Sequence, residues 1–260
     1  MITLTVMLAA IMTVLDSTIA NVALPHMAGS MSASADQINW VLTSYIIATA
    51  IMTPVTGWLA GRLGVKRTFL IAITGFTVAS ALCGAAQNLA QIVIFRTLQG
   101  AFGAGMMPLS QTVMLDSYPL RERGQAMAIW GMGVTVGPIL GPVIGGWLTD
   151  DFSWRWVFYI NLPIGALCLA GVLAFLPRNQ PAHRRPLEWL GFLLLAIALA
   201  AFQLMLDRGQ QNDWFGSGET IAEAVTAACA LWMFLVHTFT GSRPSCLWRC
   251  WAIATSSRRR

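Results

Sequence analysis

GQAMAIWGMGVTVGPILGPVIGGWL, residues 124–148, runs for 25 residues without a charge. As an α-helix rising about 1.5 Å per residue it spans roughly 37 Å, enough to cross the hydrocarbon core of a bilayer, which is about 30 Å thick. Within it Gly133, Gly137, Gly141 and Gly145 recur every four residues, Pro138 and Pro142 are inserted between them, and Gly146 follows. Residues four apart share a helix face, so the glycines form a ridge against which another helix can pack closely. Each proline removes a backbone donor and is expected to kink the span. The pattern suits a helix that bends or slides at a moving interface. Plain tight packing is the simpler alternative.

Working outward, comparable apolar runs return about every thirty residues, and eight helices are expected at 2–24, 40–60, 68–87, 91–114, 124–148, 157–176, 187–206 and 220–239. Charged residues make up 10% of the chain and apolar ones 56%, against about 25% and 45–50% in soluble domains. The fold class that follows is an all-α membrane protein whose solvent is lipid. No removable signal peptide is evident, because the first run lacks a basic leader and carries Asp16.

Loop charge sets the orientation. The first, third, fifth and seventh loops carry two basic residues, Arg155 and Arg208, whereas the even-numbered loops carry eight: Arg62, Lys66, Arg67, Arg121, Arg123, Arg178, Arg184 and Arg185. Basic loops stay cytoplasmic, so the expected location is the plasma (inner) membrane with the N-terminus inside. Trp40, Trp147, Trp154, Trp156 and Trp214 then fall near the outer surface and Trp189 near the inner one, where amphipathic rings settle.

The net charge of +5 invites a nucleic-acid reading, but residues 1–242 carry eleven basic and eleven acidic side chains. The excess is Arg243, Arg249, Arg258, Arg259 and Arg260. No nucleic-acid partner is expected; membrane lipids are. Residues 242–260 lack span length and loop chemistry and are expected to be a frameshifted, artificially ended or disordered tail, the alternative being a basic tail on an anionic leaflet. The expected division is 1–177, a six-helix domain; 178–241, a cytoplasmic loop with two extra helices; and 242–260. The five cysteines show no metal or redox spacing, and no metal or cofactor is expected.

The end of the second helix, Gly57-Trp58-Leu59-Ala60-Gly61-Arg62-Leu63-Gly64-Val65-Lys66, aligns without a gap on the end of the fifth, Gly146-Trp147-Leu148-Thr149-Asp150-Asp151-Phe152-Ser153-Trp154-Arg155. The match falls at equivalent places in two successive three-helix units of opposite orientation. That is the plan of a 3+3 inverted repeat.

Asp16 lies inside the first run, where an acid costs roughly 2.5–3.5 kcal/mol on insertion scales, so it is expected to face a cavity or a cationic partner. Arg96 is that partner: taking Pro25 and Ala90 as the helix ends, the two lie roughly 13 Å and 9 Å deep in the same half of the membrane. A guanidinium favours the ionised carboxylate while burial opposes it, an arrangement suited to proton coupling. A structural ion pair is the alternative. Helical spacing places Arg96, Gln99, Gly100 and Gly103 on one face for close packing. The loop with Gly57, Arg62, Gly64, Lys66 and Arg67 reads either as a latch whose charged contacts break and remake or as an ordinary basic turn. Met106, Met107, Trp130 and Met132 are candidates for an adaptable cavity wall.

Together these residues resemble the major facilitator superfamily and, within it, the fourteen-helix drug:proton antiporters of the EmrB/QacA type. Leu15-Asp16 through Pro25 is similar to that branch's helix 1 motif, Gly57–Arg67 to motif A, Arg96–Gly105 to motif B, Gly133–Gly146 to the antiporter motif C, and Trp154–Gly165 to the opening of helix 6. Motif A usually carries an acid where this chain has Gly61. The resemblance implies export of small hydrophobic or cationic compounds in exchange for protons, by alternating access between two six-helix halves, with the last two helices as the extra pair between them. It also implies a second half opposite this one, supplied by a missing C-terminal half or by self-association. The glycine ridge is expected to lack its principal partner here, and the 260-residue chain alone is expected not to transport. The rival readings are a non-transporting membrane scaffold or decayed gene product, and a carrier of another metabolite. His26, His183 and His237 form no catalytic pair, so an enzyme is not expected.

Overall fold

The computed structural model describes residues 1–177, 188–209 and 213–240. Among them the chain forms α1 (Ile2–Met31), α2 (Ala35–Leu63), α3 (Val65–Ala85), α4 (Leu89–Gly103), α5 (Met106–Ser117), α6 (Arg123–Asp151), α7 (Trp156–Tyr159), α8 (Asn161–Phe175), α9 (Trp189–Arg208) and α10 (Gly218–Thr240). These give eight spans long and apolar enough to cross a membrane, with α4 and α5 together forming the fourth (Leu89–Ser117) and α7 and α8 the sixth (Trp156–Phe175). The architecture is that of a multi-pass, all-α membrane protein. The basic loop residues Arg178, Arg184 and Arg185 and the tail 242–260 lie outside the described residues.

Two compact units divide the chain, Met1–Arg185 and Pro186–Arg260. In the second, α9 and α10 pack on each other, with Gly191 beside Phe234 and His237 and an Arg208–Glu219 ion pair of 2.6 Å.

The first unit carries the repeat in its packing. Exchanging spans 1, 2 and 3 for 4, 5 and 6 maps the α1–α6 contact onto that of α4 with α2, and the α3–α4 contact onto that of α8 with α1, while spans 3 and 6 pack on each other. Such an exchange is what a 3+3 repeat requires.

Its interior is two apolar clusters. One gathers Val6, Met12, Phe69, Phe76, Met106, Met114, Trp130 and Val172; the other gathers Ile19, Met27, Val41, Cys83, Ile92, Trp154 and Phe158. Along α1, α3, span 4 and span 6 alike, one cluster gives way to the other at a buried polar residue: Asp16, Ser80, Arg96 with Gln99, and Asn161. The seam between the two cores is polar.

Several sequence expectations need correcting. Pro25 does not end the first helix; α1 continues to Met31 and stops at Ser32, a left-handed cap with φ 51°. One proline costs one donor, and the helix after it stays packed through Met27. The first loop is correspondingly short, because Ser34 and Gln37 form a reciprocal capping box that starts α2 early. Asp16 is therefore near the middle of its helix, deeper than the Pro25 reference implied.

The fourth and sixth spans are interrupted. Pro108 and Pro163 each fall in the first turn of a new helix, α5 and α8, where a missing N–H is tolerated. By contrast α6 runs unbroken through Pro138 and Pro142. Trp154 is buried in the second cluster, edge-on to Phe158 at 6.3 Å, and so is a core residue rather than a surface belt residue. Met106 and Trp130 are likewise core, and the Trp130 indole N–H donates to Ser110 Oγ at 3.2 Å. Only Met132 among those four is largely exposed.

Candidate functional site

At the seam the Asp16 carboxylate from α1 meets the Arg96 guanidinium from α4, with Arg96 Nη1 2.6 Å from Asp16 Oδ2 and both side chains wholly buried. Each half of the pair is held further. Arg96 Nε donates to the Val41 carbonyl of α2 at 3.1 Å, and Nη1 also donates to Gln99 Oε1 at 2.8 Å. The ring of Tyr45 lies 4.2 Å from the guanidinium carbon and that of Phe158 5.6 Å away, within cation–π range. Asp16 Oδ1 accepts from Gln99 Nε2 at 2.8 Å and from Asn161 Nδ2 at 2.7 Å.

Asn161 extends the network. Its Nδ2 also donates to Ser80 Oγ at 3.0 Å, and the Ser80 hydroxyl donates to the Phe158 carbonyl at 2.8 Å. Asn161 stands at the head of α8, separated by one residue from the end of α7, and the Phe158 carbonyl of α7 faces Ser80 of α3. Two buried atoms of the cluster have no hydrogen-bond partner, Arg96 Nη2 and Asn161 Oδ1. An unmet buried donor or acceptor costs about 1–3 kcal/mol, so the cluster holds hydrogen-bonding capacity in reserve. Sequence reasoning named Asp16, Arg96 and Gln99 and passed over Asn161 and Ser80. Asn161 carried a usable signal, a lone amide inside an apolar run.

Gly100 and Gly103 sit on the same buried face of α4 as Arg96 and Gln99. A Cβ on Gly100 would strike the Tyr45 carbonyl of α2, and Thr49 Oγ1 donates to the Gly100 carbonyl at 3.2 Å. At Gly103 a Cβ would press on Phe76 at 3.0 Å. These glycines let α2 and α3 close over the charge.

The glycine ridge of α6 has its partner within this chain, contrary to the expectation that it would face a second half. A Cβ on Gly133 would overlap Met7, on Gly137 Val14, on Gly141 Thr18, and on Gly145 would crowd Ile19 at 3.2 Å. All four neighbours belong to α1, the helix of Asp16. Thr18 turns its hydroxyl onto the Val14 and Leu15 carbonyls of its own helix, both at 3.0 Å. Gly146 has nothing within 4 Å and is not part of the ridge contact. Pro138 and Pro142 lie within the same continuous helix.

The loop residues divide as well. Gly64, at φ 88°, ends α2 with its N–H on the Ala60 carbonyl at 2.9 Å. Lys66 Nζ donates to the Leu173 and Leu176 carbonyls at 3.0 and 2.6 Å, capping the C-terminal end of α8, where a cation is favoured. Arg62 stacks on Trp58 at 5.3 Å, Arg67 is exposed, and Gly57 has open space around it. Arg155, which aligns with Lys66 in the repeat, donates through Nη2 to the Ala86 carbonyl at the end of α3 at 3.0 Å. Equivalent cations thus cap spans 6 and 3.

A family model described as Major Facilitator Superfamily matches residues 6–245. The chain belongs to that superfamily. The multidrug export protein EmrB of Haemophilus influenzae is 44% identical over 245 residues, covering 94% of this chain and 48% of the relative. The fatty acid resistance protein FarB of Neisseria gonorrhoeae is 44% identical over 236 residues, 90% of this chain and 46% of the relative. EmrB of Escherichia coli K12 is 42% identical over 243 residues, 93% and 48%. This chain therefore spans about half the length of the curated relatives it matches. Among solved structures, the peptide transporter POT in complex with sulfate matches with a TM-score of 0.69 at 16% identity, over 94% of this chain and 53% of that one, which shows the superfamily fold.

Proposed function

We propose that this chain serves proton-coupled export of small hydrophobic or cationic compounds, with Asp16 carrying the proton and Arg96 as its counter-ion. The observation that carries this reading is the ion pair itself. A carboxylate and a guanidinium, wholly buried at 2.6 Å between two apolar cores, are costly in hydrocarbon and mark a functional path by default. Protonation of Asp16 removes one charge and leaves Arg96 uncompensated, which shifts the balance between packing states of the helices around it. Alternating access needs two walls, and this chain supplies one six-helix unit with two further spans. A second half or a second copy supplies the other wall. The basic loops set its orientation, N-terminus cytoplasmic, in the inner membrane.

The relatives support the drug-export reading over a metabolite carrier or a scaffold. Its test is a chimera in which residues 6–240 replace the matching segment of Haemophilus influenzae EmrB. In inverted vesicles energised by a proton gradient, the chimera moves a lipophilic cation and its Asp16→Asn form does not. Gradient-driven movement by the Asp16→Asn form refutes the proton-carrying role.

A further inference from the structure

The two carboxylate oxygens of Asp16 are not equivalent. Oδ2 faces the Arg96 cation, whereas Oδ1 takes only the neutral amides of Gln99 and Asn161. A proton arriving from the open side therefore settles on Oδ1, where it displaces no cation. There it turns an acceptor into a donor, and the new O–H confronts two N–H groups. One amide must give way.

Gln99 is pinned, because its Oε1 already accepts from Arg96 Nη1 at 2.8 Å and faces the Cys83 thiol at 3.6 Å. Asn161 is not pinned, since its Oδ1 is buried with no partner at all. Turning the Asn161 amide over brings that unused oxygen to the Asp16 O–H and removes the clash. The same turn withdraws Nδ2 from Ser80 and offers Ser80 an acceptor instead. The Ser80 hydroxyl then swings from the Phe158 carbonyl to Asn161, releasing the tie between α3 and the α7–α8 break. The other charged or titratable groups around Asp16 are Arg96 and Gln99's neighbour Cys83, with Tyr45 from α2; α6 faces α1 here with glycine.

We propose that Asn161 reads the protonation state of Asp16 by turning its side-chain amide over, and that Ser80 passes the change to the break in span 6. This rests on Asp16 as the proton carrier. It assigns Asn161 and Ser80 as positioning residues and makes the α7–α8 junction the first backbone element to respond.

The test is amide hydrogen exchange of the whole chain in detergent, followed at Phe158–Ile160 across pH and corrected for the intrinsic exchange rate, with infrared difference spectra reporting the Asp16 carboxyl. Protonating Asp16 raises exchange at these amides about three- to ten-fold, the scale of one lost hydrogen bond. Asp16→Asn, whose amide can donate to Asn161 Oδ1, shows the fast rate at every pH. Ser80→Ala does the same, and it carries the test should Asp16→Asn not fold. Infrared protonation of Asp16 with no change at Phe158–Ile160 overturns this inference and spares the proton-carrying role. No Asp16 protonation at any pH at which the chain stays folded overturns both.

Discussion

Arg96 Nη1 lies 2.6 Å from Asp16 Oδ2, two residues 80 positions apart in sequence and wholly buried together. Removing one member of such a pair leaves a bare charge in hydrocarbon, at a cost of about 3–5 kcal/mol, whereas replacing both with apolar residues of similar volume is often neutral. Asp16→Leu is expected to destabilise the chain severely and Asp16→Leu with Arg96→Met far less. Chemical denaturation in detergent measures the difference, and equal losses for single and double variants contradict it.

Asn161 supplies one of the two donors on Asp16 Oδ1. Asn161→Ala removes that donor from the carboxylate and the same donor from Ser80 Oγ, which keeps its own bond to the Phe158 carbonyl, a loss of about 1–3 kcal/mol. Cys168→Ala, equally buried but making no polar contact with the cluster, serves as the comparison. The two are told apart by pH: only the Asn161 variant alters how stability varies with pH, read from melting curves.

The glycines of α6 separate into contact and non-contact positions. Gly141→Val puts a side chain into Thr18 and is expected to cost about 1–3 kcal/mol by overpacking. Gly146→Ala meets open space and gains about 1 kcal/mol at most from helix propensity. Melting temperatures of the two variants should move in opposite directions.

Much of this was legible before the structure. Length and charge marked eight spans, and an acid and a cation inside uncharged runs had few partners besides each other. What stayed hidden depends on packing. Pro25 reads as a helix stop, yet its helix continues to Met31, anchored beyond the proline by the buried Met27. Pro108 and Pro163 read as ordinary span residues, yet each opens a new helix. Asn161 heads the second of these helices, and the fourth member of the cluster was missed with it. The ridge glycines announced a close neighbour without naming it, and nothing in their spacing pointed to α1.

Lys66 and Arg155 cap different helix ends. Lys66→Met is expected to fray the last turn of α8, and Arg155→Met that of α3, with each cap worth about 0.3–2 kcal/mol. Hydrogen exchange resolved by segment checks this: each variant speeds exchange at its own helix end, and an identical pattern for both contradicts the assignment. Gly64→Ala, strained at φ 88° and ψ 155°, costs about 1–3 kcal/mol for a different reason, an extended positive-φ backbone that essentially only glycine adopts.

The most direct test of Asp16 as the coupling acid is proton release on substrate binding, followed with a pH-indicator dye in the purified chimera with EmrB. The chimera releases protons when a lipophilic cation is added, Asp150→Asn at the exposed end of α6 releases as many, and Asp16→Asn releases none. Undiminished release from Asp16→Asn would contradict the role assigned to the buried pair.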